Sequence, residues 1–171
     1  RDRMRSSMNH NTVIVDGRPQ AVPAWPFHWR TRADARVRAW RHNPAFDWVE
    51  ASHDGYAPIG HRRSLLRAGR AGWLVVDEIL GEGRHLAATH WHFDPAWMPA
   101  SDGQGRLRAR HRDGDVAWLL HDAGDIRLVH GDDDSGLGWF APTYGTLLPT
   151  WTAIITRDGV APFASVTWVG E

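Results

Sequence analysis

The side chains best suited to chemistry in this chain are histidines, and three of them stand in patterns that chemistry uses. His10 lies between two amides in Asn9-His10-Asn11, directly before the run Val13-Ile14-Val15 and the turn signal Asp16-Gly17. A strand entered this way aims His10 instead of leaving it loose in solvent. Its imidazole can ligate a metal or neutralise a carboxylate, and Asn9 and Asn11 can contact a substrate. The same residues can equally cap the strand entry through backbone hydrogen bonds. His90 and His92 are two residues apart on an expected strand, so they share a face and form a His-x-His pair of the kind that offers two ligands to zinc. A cupin-like metal enzyme would add a carboxylate a few residues on and a later histidine. Here only Asp94 follows, in a proline-terminated turn, which leaves two histidines at a sheet surface as the competing reading.

Three further groups carry charge or a proton donor. Arg106, Arg108, Arg110 and Arg112 alternate with Leu107, Ala109 and His111, which puts four guanidinium groups in a row. Such a row suits an acidic ligand, or else protects an exposed sheet edge from pairing with other chains. Asp132, Asp133 and Asp134 offer oxygen ligands for calcium, without the spacing or following glutamate of an EF-hand. Tyr144 stands in the loop Ala141-Pro142-Thr143-Tyr144-Gly145, where its hydroxyl can serve as a proton donor in catalysis or lock the loop.

Composition narrows the classes. The 171 residues carry a formal net charge of zero, which argues against a nucleic-acid binder. No run approaches the ~18 apolar residues of a membrane span. There is no cysteine, so disulfides and thiolate metal sites are excluded. All 20 basic residues are arginine, which either suits an acidic ligand or reflects coding bias. The 11 tryptophans suit stacking on sugars, although in a β-rich domain most are expected to be core or partly buried filler. The chain opens on Arg1 without a methionine, as an excerpt of a longer polypeptide would.

These side chains must be positioned by strands, because helix signals are nearly absent and glycine or proline recurs about every ten residues. Strands are expected at 36–40, 46–51, 61–67, 73–80, 84–93, 106–112, 116–120, 125–130, 151–156 and 163–169, with turns at Gly69 to Gly72, Asp122-Ala123-Gly124 and Asp158-Gly159. The run 73–80 is apolar on both faces in its first half and reads as a central, doubly covered strand. Pro99 and Gly103 mark a loop. Roughly ten strands with short turns predict an all-β antiparallel β-sandwich, one domain over residues 1–171.

The order of motifs also resembles a family. Ser6 to Gln20, with its His-Asn-Thr-Val-Ile-Val-Asp-Gly core, is similar to a segment of the heparinase II/III-like polysaccharide lyases. Five more follow in the same order, for six in all: Val49 to Tyr56, His61-Arg62-Arg63, Trp73 to Glu78, His90 to Pro95, and Gly138-Trp139 with Tyr144-Gly145. The resemblance covers most of the chain. It implies the C-terminal antiparallel β-sandwich of a protein whose helical toroid, and the first part of the sandwich, precede Arg1. It further implies a carbon–oxygen lyase that cleaves uronic-acid-containing polysaccharide by β-elimination, in the periplasm or outside the cell. The family's main catalytic tyrosine, with an asparagine or histidine, would lie on the toroid, and a further His-x-His would lie upstream. Some members hold a structural zinc with two histidines and an aspartate, and the position of His10 resembles the last of these ligands. Tyr144 is then the catalytic candidate nearest the cleft, with Asn9, Asn11, Arg106 and Arg108 as substrate contacts. The implied partners are the acidic polysaccharide and the toroid, with no nucleic acid or membrane. The alternative is a non-catalytic carbohydrate-binding sandwich.

Overall fold

Short alternating segments cannot bury an apolar face alone, so they pair into sheets and the sheets stack. A computed structural model describes residues 3–69, 72–123 and 125–171. Arg1, Gly124 and the link between Gly69 and Gly72 fall outside the described residues. Two 3₁₀ turns, Arg3–Arg5 and Ser7–Asn9, lead into β1 (Val13–Val15). A small hairpin follows, β2 (Val22–Pro23) with β3 (Trp29–Thr31). A meander comes next: β4 (Ala35–Asn43), β5 (Phe46–His53), β6 (Gly60–Ala68) and β7 (Trp73–Leu80). The rest of the chain supplies β8 (Arg84–His92), β9 (Trp97–Ser101), β10 (Arg106–His111), β11 (Val116–His121), β12 (Ile126–His130), β13 (Trp139–Phe140), β14 (Leu148–Pro149), β15 (Trp151–Val160) and β16 (Phe163–Gly170). Eleven of these strands run five residues or more, against the ten or so that alternation predicts.

One sheet has four strands in the order β1-β8-β15-β12, the other eight in the order β4-β5-β6-β7-β16-β11-β10-β9. Their facing sides make the core. Val13, Val15 and Ala87 of the small sheet pack with Ile79 of the large one, Tyr56, Ile59 and the ring of Phe163. Ala153, Ile155 and Ile126 meet Leu107, Ala109 and Leu119 in a second cluster, flanked by Trp91 and Phe93. Each fully buried valine, leucine or isoleucine among them contributes about 1.5–3 kcal/mol of transfer energy. The outer face of the small sheet is covered as well, because Val129 and Ile154 pack against Leu137 from the loop before β13. That cover depends on Gly138. Its φ of +77° is open to glycine, and a Cβ there would stand 2.9 Å from the Thr150 carbonyl.

Three expectations change. β7 is central, between β6 and β16, but Val75, Asp77 and Ile79 alone are buried while the alternate residues are half-exposed, so it is covered on one face only. The apolar alternate residues fill the outer face of a wide sheet instead of a second interior. The stretch with Pro99 forms β9, an edge strand, where a residue without an N–H costs no ladder bond on the solvent side. The arginine strand β10 therefore lies one position in from the edge. β15 runs past the expected turn at Asp158-Gly159 to Val160, because β8 supplies partners as far as Arg84. Gly159 leaves room for the Phe163 ring, whose Cδ1 would be 3.0 Å from an added Cβ. The tryptophans follow expectation: six of the eleven are half-buried filler, and Trp25, Trp29, Trp40, Trp73 and Trp118 are exposed.

Candidate functional site

The segment carrying His10 is fixed from three directions. The 3₁₀ turn ending at Asn9 breaks at His10, which adopts extended geometry (φ −131°, ψ 155°) and is exposed. Asn11 closes the break. Its Oδ1 accepts the His92 backbone N–H at 2.8 Å, and its carbonyl accepts Arg63 Nη1 at 2.5 Å. Gln20 reaches back from beyond β1, its side-chain amide donating to Thr12 Oγ1 at 2.6 Å and the Val13 carbonyl at 3.1 Å. Its own N–H is received by Ser7 Oγ at 3.0 Å. His10 thus sits at the rim of a cleft of about 260 Å³, among Arg5, Ser7, Thr12, Gln20, Trp29 and Arg32, with no carboxylate among the described residues of its lining. An imidazole and two guanidinium groups around an open cleft make a site for an anion.

Arg63 ties this rim to the sandwich interior. It holds Asp77 bidentately, Nε to Oδ1 at 2.6 Å and Nη2 to Oδ2 at 2.9 Å, and its guanidinium lies 5.8 Å from the Trp91 ring. His61 Nε2 meets the same carboxylate at 2.8 Å, and His61 Nδ1 meets His53 Nε2 at 2.9 Å. Burial alone would push the Asp77 carboxyl up, but the bonds from His61 and Arg63 hold it below the ordinary carboxylate value. Burial, reinforced by His61, lowers His53 to about 4. Tyr56 completes this end, wholly buried, its hydroxyl donating to the Val13 carbonyl at 2.6 Å and pushed up to about 12 by burial. The segment Val49 to Tyr56, His61-Arg62-Arg63 and Trp73 to Glu78 are adjacent motifs in sequence order. What no spacing reveals is that the β6–β7 register sets Arg63 opposite Asp77 and the β5–β6 register sets His53 opposite His61.

The other candidates separate. His92 lies near His10, yet both its ring nitrogens are engaged. Nε2 donates to the Met8 carbonyl at 3.0 Å, and Nδ1 accepts from Thr152 Oγ1 at 3.0 Å, which itself receives the Gly138 N–H. Burial lowers the His92 pKa and favours this neutral form. His90 is buried on the same face, with Nδ1 lacking a partner and its pKa lowered to about 4, again by burial first. Among the described residues no group of three or more His, Cys, Asp or Glu is placed to share a metal ion. Asn9 donates to the Arg3 carbonyl at 3.1 Å and its Oδ1 is buried, so it supports the turn. Asn11 likewise spends its Oδ1 on the strand entry.

Arg106 and Arg108 lie on the outer face of the large sheet, apart from the His10 cleft. Arg106 pairs with Asp102 at 2.5 Å and Arg108 lies over Trp118 at 5.7 Å. Asp132 of the acidic loop turns inward on its own chain, accepting from Ser135 Oγ at 2.6 Å, and Asp133 pairs with Arg3. Tyr144 is 92% exposed and faces a cavity next to the His10 cleft, with Arg5 and Trp29 common to both. Of the two arginines that organise this side of the molecule, Arg5 stands in no motif, and Arg63 stands in His61-Arg62-Arg63 without any sign there that it joins Asp77 to Asn11.

Comparison with known proteins follows the same lines. The family model described as "Heparinase II/III-like, C-terminal" matches residues 1–169. A heparin-sulfate lyase of Pedobacter heparinus is 23% identical over 111 residues, which make up 64% of this chain and 15% of that protein. Among solved structures, a heparinase III superposes with a TM-score of 0.78 at 16% identity, covering 99% of this chain and 25% of the other. A mutant heparan sulfate lyase from Pedobacter heparinus gives 0.77 at 20% identity, covering 100% and 26%. The chain therefore spans about a quarter of the length of these solved structures, and at such identities the superpositions establish the fold.

Proposed function

Because the chain belongs to the heparinase II/III-like family, as its C-terminal region, we propose that it forms one wall of the substrate cleft of a polysaccharide lyase. The rest of the cleft, in this reading, comes from a helical toroid earlier in the same polypeptide. The observation that carries the proposal is the His10 cleft, an exposed imidazole on a fixed backbone with Arg5 and Arg32 and, among the described residues, no carboxylate in the lining. A uronate fits such a lining. Its carboxylate must be neutralised before the C5 proton becomes acidic enough to remove. In β-elimination a base takes that proton, a double bond forms between C4 and C5, the C4–O bond breaks, and an acid protonates the departing oxygen. The cations at the His10 rim supply the neutralising charge, and proton transfer falls to residues facing them, with Tyr144 the donor this chain can offer.

His10 can also serve as one zinc ligand. Its neighbour His92 is spent on Met8 and Thr152, so the remaining ligands would come from the preceding polypeptide. Zinc held there would brace the cleft wall. The test of the lyase reading is product formation. The full-length protein should release oligosaccharides with the ultraviolet absorbance of an unsaturated uronate from heparan sulfate or alginate, and His10→Ala should reduce the rate. Turnover of neither polymer, or of no other uronate polymer, removes the reading.

A second reading has its own observation. Arg108 over Trp118 on the outer face of the large sheet, with Met98 exposed nearby on β9, could serve a non-catalytic carbohydrate-binding module. Polymer binding by the full-length protein, lost in Arg108→Ala and never followed by a double bond, would favour it.

A further inference from the structure

The hairpin between β2 and β3 presents three aromatic side chains in five residues, and none of them enters the core. Trp25 is 72% exposed and Phe27 is 96% exposed. Phe27 also adopts a φ of +62°, in the left-handed region that a bulky L-residue enters only at a cost. A sequence selected for stability alone would place glycine or asparagine there. The strained tip is nevertheless held firmly. Arg5 donates to the Trp25 carbonyl at 2.8 Å and to the His28 carbonyl at 2.7 Å, and its guanidinium stacks on Trp29 at 4.5 Å. The His28 N–H closes the turn on the Trp25 carbonyl at 2.9 Å. From a separate loop Tyr144 faces the same cavity, about 540 Å³, lined by Arg5, Pro26, Phe27, Trp29 and Tyr144.

We propose that this cavity is a saccharide subsite, in which Phe27 and Tyr144 clasp a pyranose ring and Arg5 pairs with an acidic substituent on it. Three features point to sugar over protein. The walls are the rings of Phe27, Trp29 and Tyr144, with Pro26, in place of branched aliphatics, and Trp29 and Tyr144 add polar tips, which suits the alternating apolar and hydroxyl faces of a pyranose. Among the described residues the charged group in the lining is a cation, Arg5, oriented by two backbone carbonyls and a ring among its contacts. The cavity borders the His10 cleft, with Arg5 and Trp29 lining both, so a chain bound at His10 runs close beside it. The size falls within the range of small-molecule pockets. The subsite rests on the lyase reading for the identity of the polymer, and on the hairpin geometry for its existence.

The test uses the full-length protein with Phe27→Ala, Tyr144→Phe and Tyr144→Ala, exposed positions whose truncation leaves the core intact. Calorimetric titration uses heparan sulfate and alginate oligosaccharides, with a cello-oligosaccharide as neutral control. Phe27→Ala and Tyr144→Ala should each weaken binding of the acidic oligosaccharide about five- to tenfold, while Tyr144→Phe, which keeps the ring, stays near wild type. Unchanged affinity in both alanine variants overturns the subsite. So does a change in oligomeric state or thermal midpoint without a change in affinity, which would make the patch a protein contact. No binding of any acidic oligosaccharide by the wild type overturns it too. Weakened binding in a protein that never forms the double bond leaves the subsite standing and removes the lyase reading, whereas turnover with unaltered affinity in the variants does the reverse.

Discussion

The molecule contains two histidine pairs that look alike until their partners are compared. His53 and His61 stand on neighbouring strands with ring centroids 5.0 Å apart, and His90 and His92 share one strand with centroids 6.4 Å apart. The first pair ends on a buried carboxylate, which Arg63 also holds and which carries the connection outward to Asn11. The second pair ends on neutral groups, a carbonyl and a hydroxyl for His92 and nothing for His90 Nδ1. The His-x-His spacing marks the second pair as the chemical one. In the fold it is a neutral, buried filler of the small sheet's outer face, and the unmarked first pair belongs to the charged network behind the His10 cleft. Cross-strand register, more than spacing along one strand, decides which histidines find a charged partner.

The largest expected effect falls on the charged network. Asp77→Ala leaves His61 and Arg63 without their acceptor in a buried place and should cost about 3–5 kcal/mol, read from urea midpoints. A cost under about 1 kcal/mol would show that the network is not structural. The next effect is on acid stability, where both pairs act together. His53 and His90 titrate near 4 in the fold, whereas an unfolded chain takes up these protons near the ordinary 6.5. Their contribution is therefore fully present above about pH 6.5 and is lost as pH falls toward 4. His92 and His121 are shifted in the same direction by burial. Asp77, held below 3.8, adds to the loss only at lower pH still. The thermal midpoint should fall steadily through this window, and a flat profile between pH 6.5 and 4 would contradict the neutral burial of these rings.

Separating the pairs needs a smaller change. His90→Leu removes the orphaned nitrogen and one titrating ring, so the acid slope should flatten while stability at neutral pH holds or rises by about 1 kcal/mol. A marked loss at neutral pH would mean that His90 has a partner of consequence. The smallest effect on stability is expected for His10→Ala, within about 0.5 kcal/mol, because the side chain is exposed. The 171-residue chain should bind zinc weakly or not at all by calorimetry. Tight binding lost in His10→Ala would instead mean that the described residues suffice for a site.

Much of this was legible before any coordinates. Trp73 to Leu80 is bounded to the residue, since an apolar run flanked by glycines is a local signal. Val13-Ile14-Val15 was recognisable as the strand that holds His10, and the six ordered motifs as a heparinase II/III-like sandwich, which the family match bears out. The misses came from neighbours. Pro99 looked like a loop because its edge position is a property of the sheet, and Gly159 looked like a turn because the space it leaves is filled by Phe163. Asn9 and Asn11, candidates for substrate contact, also serve backbone groups of Arg3 and His92, neighbours that no local pattern names.

Sequence alone determined that this chain is a stack of antiparallel strands with a histidine set at a strand entry, because side-chain alternation and turn residues act over a few positions. The tertiary structure decided everything that depends on which strand lies beside which. It spent His92 on Met8 and Thr152, set Asp77 between His61 and Arg63, and brought Tyr144 to the hairpin of Phe27 across more than a hundred residues of chain. Those meetings follow from sheet order and register, which are fixed by the collective burial of two facing surfaces and by no short stretch of residues.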